Sequence, residues 1–386
     1  MTAARAEPVR GEPVRGEPVG VAVVGCGTIS NEYLRNLTSF PDLRVLFCAD
    51  IDLERAKAQA DTYGVPASGS TAQALEHPDV ELVVNLTLPA THAAVAQAAI
   101  AAGKSVWMEK PLALDTGSAR VVLAAAAGRG LLVGCAPDTM LGAGLQTARR
   151  VIEAGTIGEP QTALALLQGP GPEGWHPAPE FLFQPGAGPL FDMGPYYLSA
   201  LATLFGPADQ VAALGRRARD TRTIGSGPRA GTVFGVEVPT HVAALIGYVG
   251  GQAATVVLSF DSALRRHGFI EISGTDATLA LPDPNRFDGE IRVRAAGAGP
   301  GDDWTVIPAA GATAGRGLGV LDMARALRGG GGTALRASGE MALHVLDTME
   351  AIGRSVGDGR FQAVGTTFTV PGALTADWDP HVRTLA

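Results

Sequence analysis

Residues 19–30 read VGVAVVGCGTIS, and the fold turns on this stretch. Val21 to Val24 is a continuous apolar run ending at Gly25, the pattern of a strand buried on both faces. Gly25-Cys26-Gly27 predicts a tight turn, and a helix follows from about Ile29 to Leu37. In Gly25-x-Gly27-x-x-Ser30 the first glycine permits the turn and the second lets a phosphate approach the backbone. The third position needs a small residue for helix–strand packing, and serine suffices.

Downstream of this turn the same rhythm repeats. Strands are predicted at Leu43 to Ala49, Glu81 to Leu86, Ser105 to Met108 and Leu131 to Gly134. Helices are predicted at Leu53 to Tyr63, Pro89 to Ala102 and Ser118 to Ala127, with Pro89 well suited to a first helical position. Strands separated by helices of this length imply a parallel, doubly wound sheet over residues 19–140. After a helix at Leu145 to Glu153, short strands dominate: 162–167, 210–216, 233–237, 241–248, 252–260, 268–273, 278–281 and 290–294. Helices near 195–204 and 340–355 interrupt them, so residues 141–386 are expected to form an α+β domain with a large, mostly antiparallel sheet. Residues 1–18 carry a near-repeat, EPVRG, of proline, glycine and charge, and are expected to be a flexible tail.

Composition excludes several classes. The chain of 386 residues is long enough for two cores, and 46% of it is apolar. A net charge of −8 disfavours nucleic acid or an anionic membrane as the partner. No apolar run reaches the roughly 18 residues of a membrane span, and the first twenty lack a signal-peptide core. Cys26, Cys48 and Cys135 are too few and scattered for a disulfide framework or a metal cluster, so reduced thiols in the cytoplasm are expected.

Asp50 lies at the end of the second strand, 20 residues past Ser30, where an acid accepts both ribose hydroxyls of an adenosine. With the glycine turn it predicts dinucleotide binding, the diphosphate resting on the N–H groups near Thr28 and Ile29. An acid there repels a 2′-phosphate, which favours NAD over NADP. Helix capping by Asp50 or Asp52 is the alternative.

Glu109-Lys110-Pro111 follows a parallel strand, on the sheet edge where such folds bind ligands. Among 30 basic residues only Lys57, Lys104 and Lys110 are lysines, which suggests that Lys110 does something arginine does not. It is suited to stabilise an alkoxide during hydride removal; a rim ion pair with Glu109 is the alternative. Asp192 and Tyr196 flank a helix start and lie four apart, able to face one cavity; a helix cap and packing would serve equally. Trp175 and His176, in a proline- and glycine-rich loop, and Tyr197 are candidates to line a substrate pocket. His92 and His241 fall inside regular elements. Arg216, Arg217, Arg219, Arg222 and Arg229 read as a solvated loop rather than a phosphate site.

Together these motifs resemble the Gfo/Idh/MocA oxidoreductase family over nearly everything after residue 19. The resemblance rests on the glycine turn, Leu86-Thr87-Leu88-Pro89-Ala90-Thr91-His92, Ala102-Gly103-Lys104-Ser105-Val106, Glu109-Lys110-Pro111 and Gly188-Pro189-Leu190-Phe191-Asp192-Met193-Gly194. It implies a Rossmann domain, a second domain that often forms the oligomer interface, and cofactor contacts at Thr87, Pro89, His92, Glu109 and Lys110. It further implies that Lys110 polarises the reacting hydroxyl and Asp192 orients a sugar, cyclitol or related polyol. A histidine four residues past that aspartate commonly relays the proton. Here that position is Tyr196, as in relatives like glucose–fructose oxidoreductase and the dihydrodiol dehydrogenases, and Ser199 stands where another acid is frequent. The expectation is an NAD-dependent dehydrogenase, assembled as a dimer or tetramer. Two alternatives are tightly bound NAD used for transient oxidation in elimination or glycoside cleavage, and a nucleotide-binding regulator without turnover.

Overall fold

A computed structural model describes residues 16–299, 301, 303–311, 314–329 and 334–385. The tail expected over 1–18 falls mostly outside them. Its described end is held rather than loose: Arg383 Nη2 donates to Gly16 O at 2.8 Å and Arg328 Nε to Glu17 O at 3.0 Å.

The first unit alternates strand and helix: β1 (Val19–Val24), α1 (Ser30–Leu37), β2 (Leu43–Ala49), α2 (Leu53–Tyr63), β3 (Ala67–Gly69) and α3 (Thr71–Glu76). It continues through β4 (Leu82–Asn85), α4 (His92–Ala101), β5 (Ser105–Met108), α5 (Thr116–Ala127) and β6 (Val133–Cys135). The six strands are parallel in the order β3-β2-β1-β4-β5-β6. β1 and β4 are buried along their whole length, as two-sided cover by helices requires. The order reverses between β1 and its neighbours, so the glycine turn after β1 opens onto the switch point where ligands bind. β3 and α3 were not foreseen. Ser70 and Gln73 form a capping box at α3, a signal present in the sequence.

The second unit comprises α6 (Ala143–Glu153), β7 (Pro160–Gln168), α7 (Gly188–Asp192), α8 (Gly194–Phe205), β8 (Ala208–Arg216), β9 (Thr221–Thr223), β10 (Val233–Gly235), β11 (His241–Tyr248) and β12 (Ala253–Ser259). After them come β13 (Arg266–Gly274), β14 (Ala277–Ala280), β15 (Ile291–Ala295), β16 (Thr305–Ile307), α9 (Leu318–Arg328), α10 (Gly339–Asp358) and β17 (Gln362–Ala363). Nine strands form one sheet in the order β16-β15-β14-β13-β7-β12-β11-β8-β17, antiparallel except between β7 and β12. β9 and β10 pair separately. On one face Ala165, Val256, Ala244 and Val211 are buried. On the other, Leu164, Thr255, Leu245 and Ala212 align in register across four strands, and Leu214 and Leu245 are 75% and 55% exposed.

The expected division at 140/141 needs one correction, because the late chain returns to the first unit. An added Cβ on Gly319 of α9 would lie 2.0 Å from the ring of Trp107 in β5, so α9 seats directly on the parallel sheet. Arg325 Nε bonds Asp42 Oδ2 at 2.8 Å, and Asp42 also accepts from Thr384 and Leu385. Arg328 makes a paired contact with Glu81 at 2.6 and 2.8 Å. The nucleotide-binding unit is therefore completed by residues about 300 positions downstream.

Candidate active site

The glycine turn is built as its sequence requires. Gly25 has φ +96°, and a Cβ there would meet the Leu86 carbonyl carbon at 2.7 Å, so only glycine fits against the end of β4. A Cβ on Gly27 would meet nothing within 4 Å, leaving its backbone open to a ligand. The N–H groups of Gly27, Thr28 and Ile29 carry no hydrogen bond among the described residues, and Gly27 and Thr28 are exposed. An exposed helix start with free N–H donors suits a diphosphate. Asp50 is buried beside this turn, its Oδ2 accepting from Cys26 N at 2.7 Å and its Oδ1 from Asp52 N at 2.9 Å. The capping alternative resolves onto Asp52, whose Oδ1 accepts from Arg55 N at 3.2 Å at the start of α2. The cradle thus fits a dinucleotide.

Lys110 leaves the end of β5 and meets the second unit. Its Nζ donates to Asp192 Oδ1 at 2.9 Å and Asp192 O at 2.8 Å, and lies 5.5 Å from the centre of the Tyr196 ring. Asp192 closes α7 and Tyr196 lies in the first turn of α8, so the break between these helices puts both beside the ammonium. Burial works against the Lys110 charge, but Asp192 first, then Tyr196 and Glu109, outweigh it and hold the pKa above its ordinary value. Lys110 is therefore a fixed cation and a donor, not a proton acceptor.

The alternative of a rim pair between Lys110 and Glu109 gives way to a different arrangement. Glu109 turns inward, accepting from Tyr33 Oη at 2.8 Å and from the Lys110 N–H at 3.0 Å. It braces α1 against β5. His92 is likewise corrected from contact to brace: it is fully buried, with its ring nitrogens 2.7 Å from Pro111 O and 2.9 Å from Thr87 O. Thr87 and Pro89 stay at the rim beyond β4, Thr87 donating to Asn85 Oδ1 at 2.7 Å. Tyr197 is also corrected. It is completely buried, its hydroxyl accepts from Gly268 N at 2.8 Å, and burial pushes its pKa up. Trp175 is 67% exposed and stacks edge-on with His176, which meets Phe181 in the same way.

Arg222 contradicts the solvated-loop reading. Its guanidinium is buried between Glu173 and Asp261, donates to Pro170 O at 2.9 Å and to Phe260 O at 3.1 Å, and lies over the Phe183 ring. It locks the loops at 169–187 and 215–231 together, helped by Gly225 N to Glu173 O at 2.8 Å. Arg217 pairs at the surface with Asp220, as expected of a solvated loop.

Sequence reasoning missed Arg316. Its Nη2 donates to Tyr196 Oη at 3.1 Å, its guanidinium carbon lies 5.8 Å from the ring centre, and its Nη1 faces Glu109 Oε1 at 3.9 Å. The segment carrying it is fixed by Asn36 of α1, whose Nδ2 donates to Arg316 O at 2.8 Å. Asp138 Oδ2 adds bonds from Gly317 N and Gly319 N at 2.7 and 3.2 Å. Burial drives the Asp138 pKa up to about 6 against the opposing pull of Arg316. In a chain where arginine is the default cation, no residue pattern marks this one. An open cleft lined by Asn285, Arg286, Phe287, Asp288 and Ala314 adjoins it, and Asn285 Oδ1 lies 3.5 Å from Arg316 Nη2.

Comparison with known proteins agrees with this geometry. Residues 19–136 match the oxidoreductase family described as an NAD-binding Rossmann fold, and residues 145–280 match the GFO/IDH/MocA C-terminal domain. The trans-1,2-dihydrobenzene-1,2-diol dehydrogenase of Bos taurus is 28% identical over 277 residues, covering 70% of this chain and 76% of that protein. An inositol 2-dehydrogenase of Ralstonia nicotianae is 35% identical over 144 residues, 36% of this chain and 43% of its own length. Levoglucosan dehydrogenase, solved with NADH and L-sorbose, shares the fold at a TM-score of 0.77 and 22% identity, covering 91% of this chain and all of that one. With both domains matched in order on a glycine cradle and a Lys110–Asp192 pair, the chain belongs to the Gfo/Idh/MocA family of nicotinamide-dependent oxidoreductases.

Proposed function

We propose that the protein is an NAD-dependent dehydrogenase that oxidises a secondary carbinol of a sugar, cyclitol or related polyol. The observation that carries this reading is the convergence of Lys110, Asp192 and Tyr196 at the carboxyl edge of the parallel sheet, which is the edge the glycine cradle occupies. When bound, the nicotinamide supplies the acceptor for the carbinol hydrogen with its electron pair. Lys110, kept charged, donates to the reacting oxygen and offsets its developing negative charge. Tyr196, as its phenolate, takes the hydroxyl proton, and Asp192, held by Lys110, orients a neighbouring hydroxyl. Exposed Trp175 and half-buried His176, on the loop that leads into α7, are the proposed substrate-facing surface, and Arg222 ties that loop to residues 215–231.

Asp50 supports NAD over NADP, because its buried carboxylate at the ribose position repels a 2′-phosphate. The aligned outward leucines of the large sheet support a homodimer or tetramer formed through that face. Buried free thiols at Cys26, Cys48 and Cys135, and the lack among the described residues of a helix able to cross a membrane, are consistent with a cytoplasmic location. The test is reduction of NAD, followed by absorbance, over a panel of sugars and cyclitols, with NADP in parallel. The reading expects turnover on at least one polyol with NAD preferred. Binding of NAD without reduction across the panel would contradict it.

A further inference from the structure

Tyr196 Oη has one hydrogen-bond partner among the described residues, Arg316 Nη2 at 3.1 Å. A guanidinium has donors and no acceptor, so in this contact the phenol oxygen accepts and its own proton must point elsewhere. That proton lies near the ring plane, on the side away from the Arg316 contact. The charge on Arg316 is secure. Burial opposes it, but Tyr196, Glu109, Asp138 and Tyr33 together raise its pKa above the ordinary value. Its placement is secure as well, because Asn36 and Asp138, both from the nucleotide-binding unit, hold the backbone at Arg316, Gly317 and Gly319.

We propose that Arg316 is a positioning residue that orients Tyr196 and supplies the countercharge to its phenolate, the form that takes up the substrate's hydroxyl proton. This rests on the reading of Tyr196 as the proton carrier. The charged and titratable groups facing Arg316 are Tyr196, Glu109, Tyr33 and Asp138, with Lys110 across the Tyr196 ring. Of these only Tyr196 borders the Lys110–Asp192 pair with a hydroxyl not already committed to a carboxylate, since the Tyr33 hydroxyl donates to Glu109. The arrangement also links cofactor seat to proton carrier, because α1 begins at the glycine turn and ends on the segment that bears Arg316.

The test reads the tyrosine directly and needs no substrate. The protein has five tyrosines, so a near-ultraviolet phenolate titration of the wild type minus that of Tyr196→Phe isolates the Tyr196 step. The same subtraction is then made with Arg316→Met in both backgrounds. Loss of the countercharge should move the step to higher pH by about one unit or more, whereas Arg316→Lys should restore most of the shift. If Arg316→Met does not fold by circular dichroism, Arg316→Gln keeps a donor and removes the charge, with the same upward shift expected. An unmoved step in a folded neutral variant overturns the proposal. Turnover separates this outcome from failure of the parent reading. Full activity in Tyr196→Phe would end the proton-carrier role, whatever Arg316 does. Loss of turnover in Tyr196→Phe, followed by equal further loss on adding Arg316→Met, would reduce Arg316 to a structural part. No further loss in the double variant is the expected result.

Discussion

Asp138 shows how a single buried carboxylate serves position at a cost in stability. Its pKa in the fold is about 6, above the ordinary 3.8, because burial disfavours the ionised form more than Arg316 and the two glycine N–H groups favour it. A raised acid binds its proton longer in the folded state than in the unfolded one. Its contribution is therefore most favourable below pH 4, declines as pH rises to about 6, and stays at its least favourable above that. The difference is about 3 kcal/mol at 1.36 kcal/mol per pKa unit. Asp138→Asn should remove this slope, so denaturant melts at pH 8 should show the variant more stable, with the gap closing toward pH 4. A gap that widens on acidification would contradict the assignment. At the glycine turn, Gly25→Ala combines a positive φ with a 2.7 Å backbone contact, and a loss of about 2 kcal/mol or more with weakened NAD binding is expected from thermal melts and nucleotide titration.

Elements differ sharply in how legible they are. β2, α2, β5 and β11 follow the sequence pattern to the residue, because each is a short apolar or amphipathic run bounded by turns. Lys110 and Asp50 were readable for the same reason: a strand end fixes which edge of the sheet a residue occupies. Arg316, Tyr33 and the brace from His92 to Pro111 were not, since their partners lie 19 to 280 positions away in sequence and no local period records them. α9 is the clearest case. The sequence reading predicts no helix over 318–328, and nothing local marks Gly319 as the position that admits the Trp107 ring of β5. Gly319→Leu should unseat α9, overpacking by about 1–3 kcal/mol or more and displacing Arg316. Calorimetry should show a lower Tm, and turnover should fall further than the stability loss alone accounts for.

At the scale of the molecule, two sheets are tied by a chain that leaves the first unit at β6 and comes back at α9 and at Thr384 and Leu385. Lys110 from one unit and Asp192 and Tyr196 from the other meet at that seam, so under the proposed function hydride and proton chemistry depend on the two staying in register. The bare face of the nine-stranded sheet is a separate property. Under the proposal of a dimer or tetramer formed through this face, Leu245→Glu with Leu214→Glu should shift the mass in light scattering toward monomer, and an unchanged mass would overturn that use of the face.

Under the proposed function Lys110 acts on the reacting oxygen and not on the cofactor. That role is tested most directly by comparing wild type and Lys110→Met on the best polyol of the panel, measuring kcat and NAD affinity together. A residue that acts only at the developing oxyanion should cost kcat roughly a hundred- to a thousand-fold while NAD affinity stays within about threefold. Equal losses of turnover and NAD binding, or an unchanged kcat, would contradict the account.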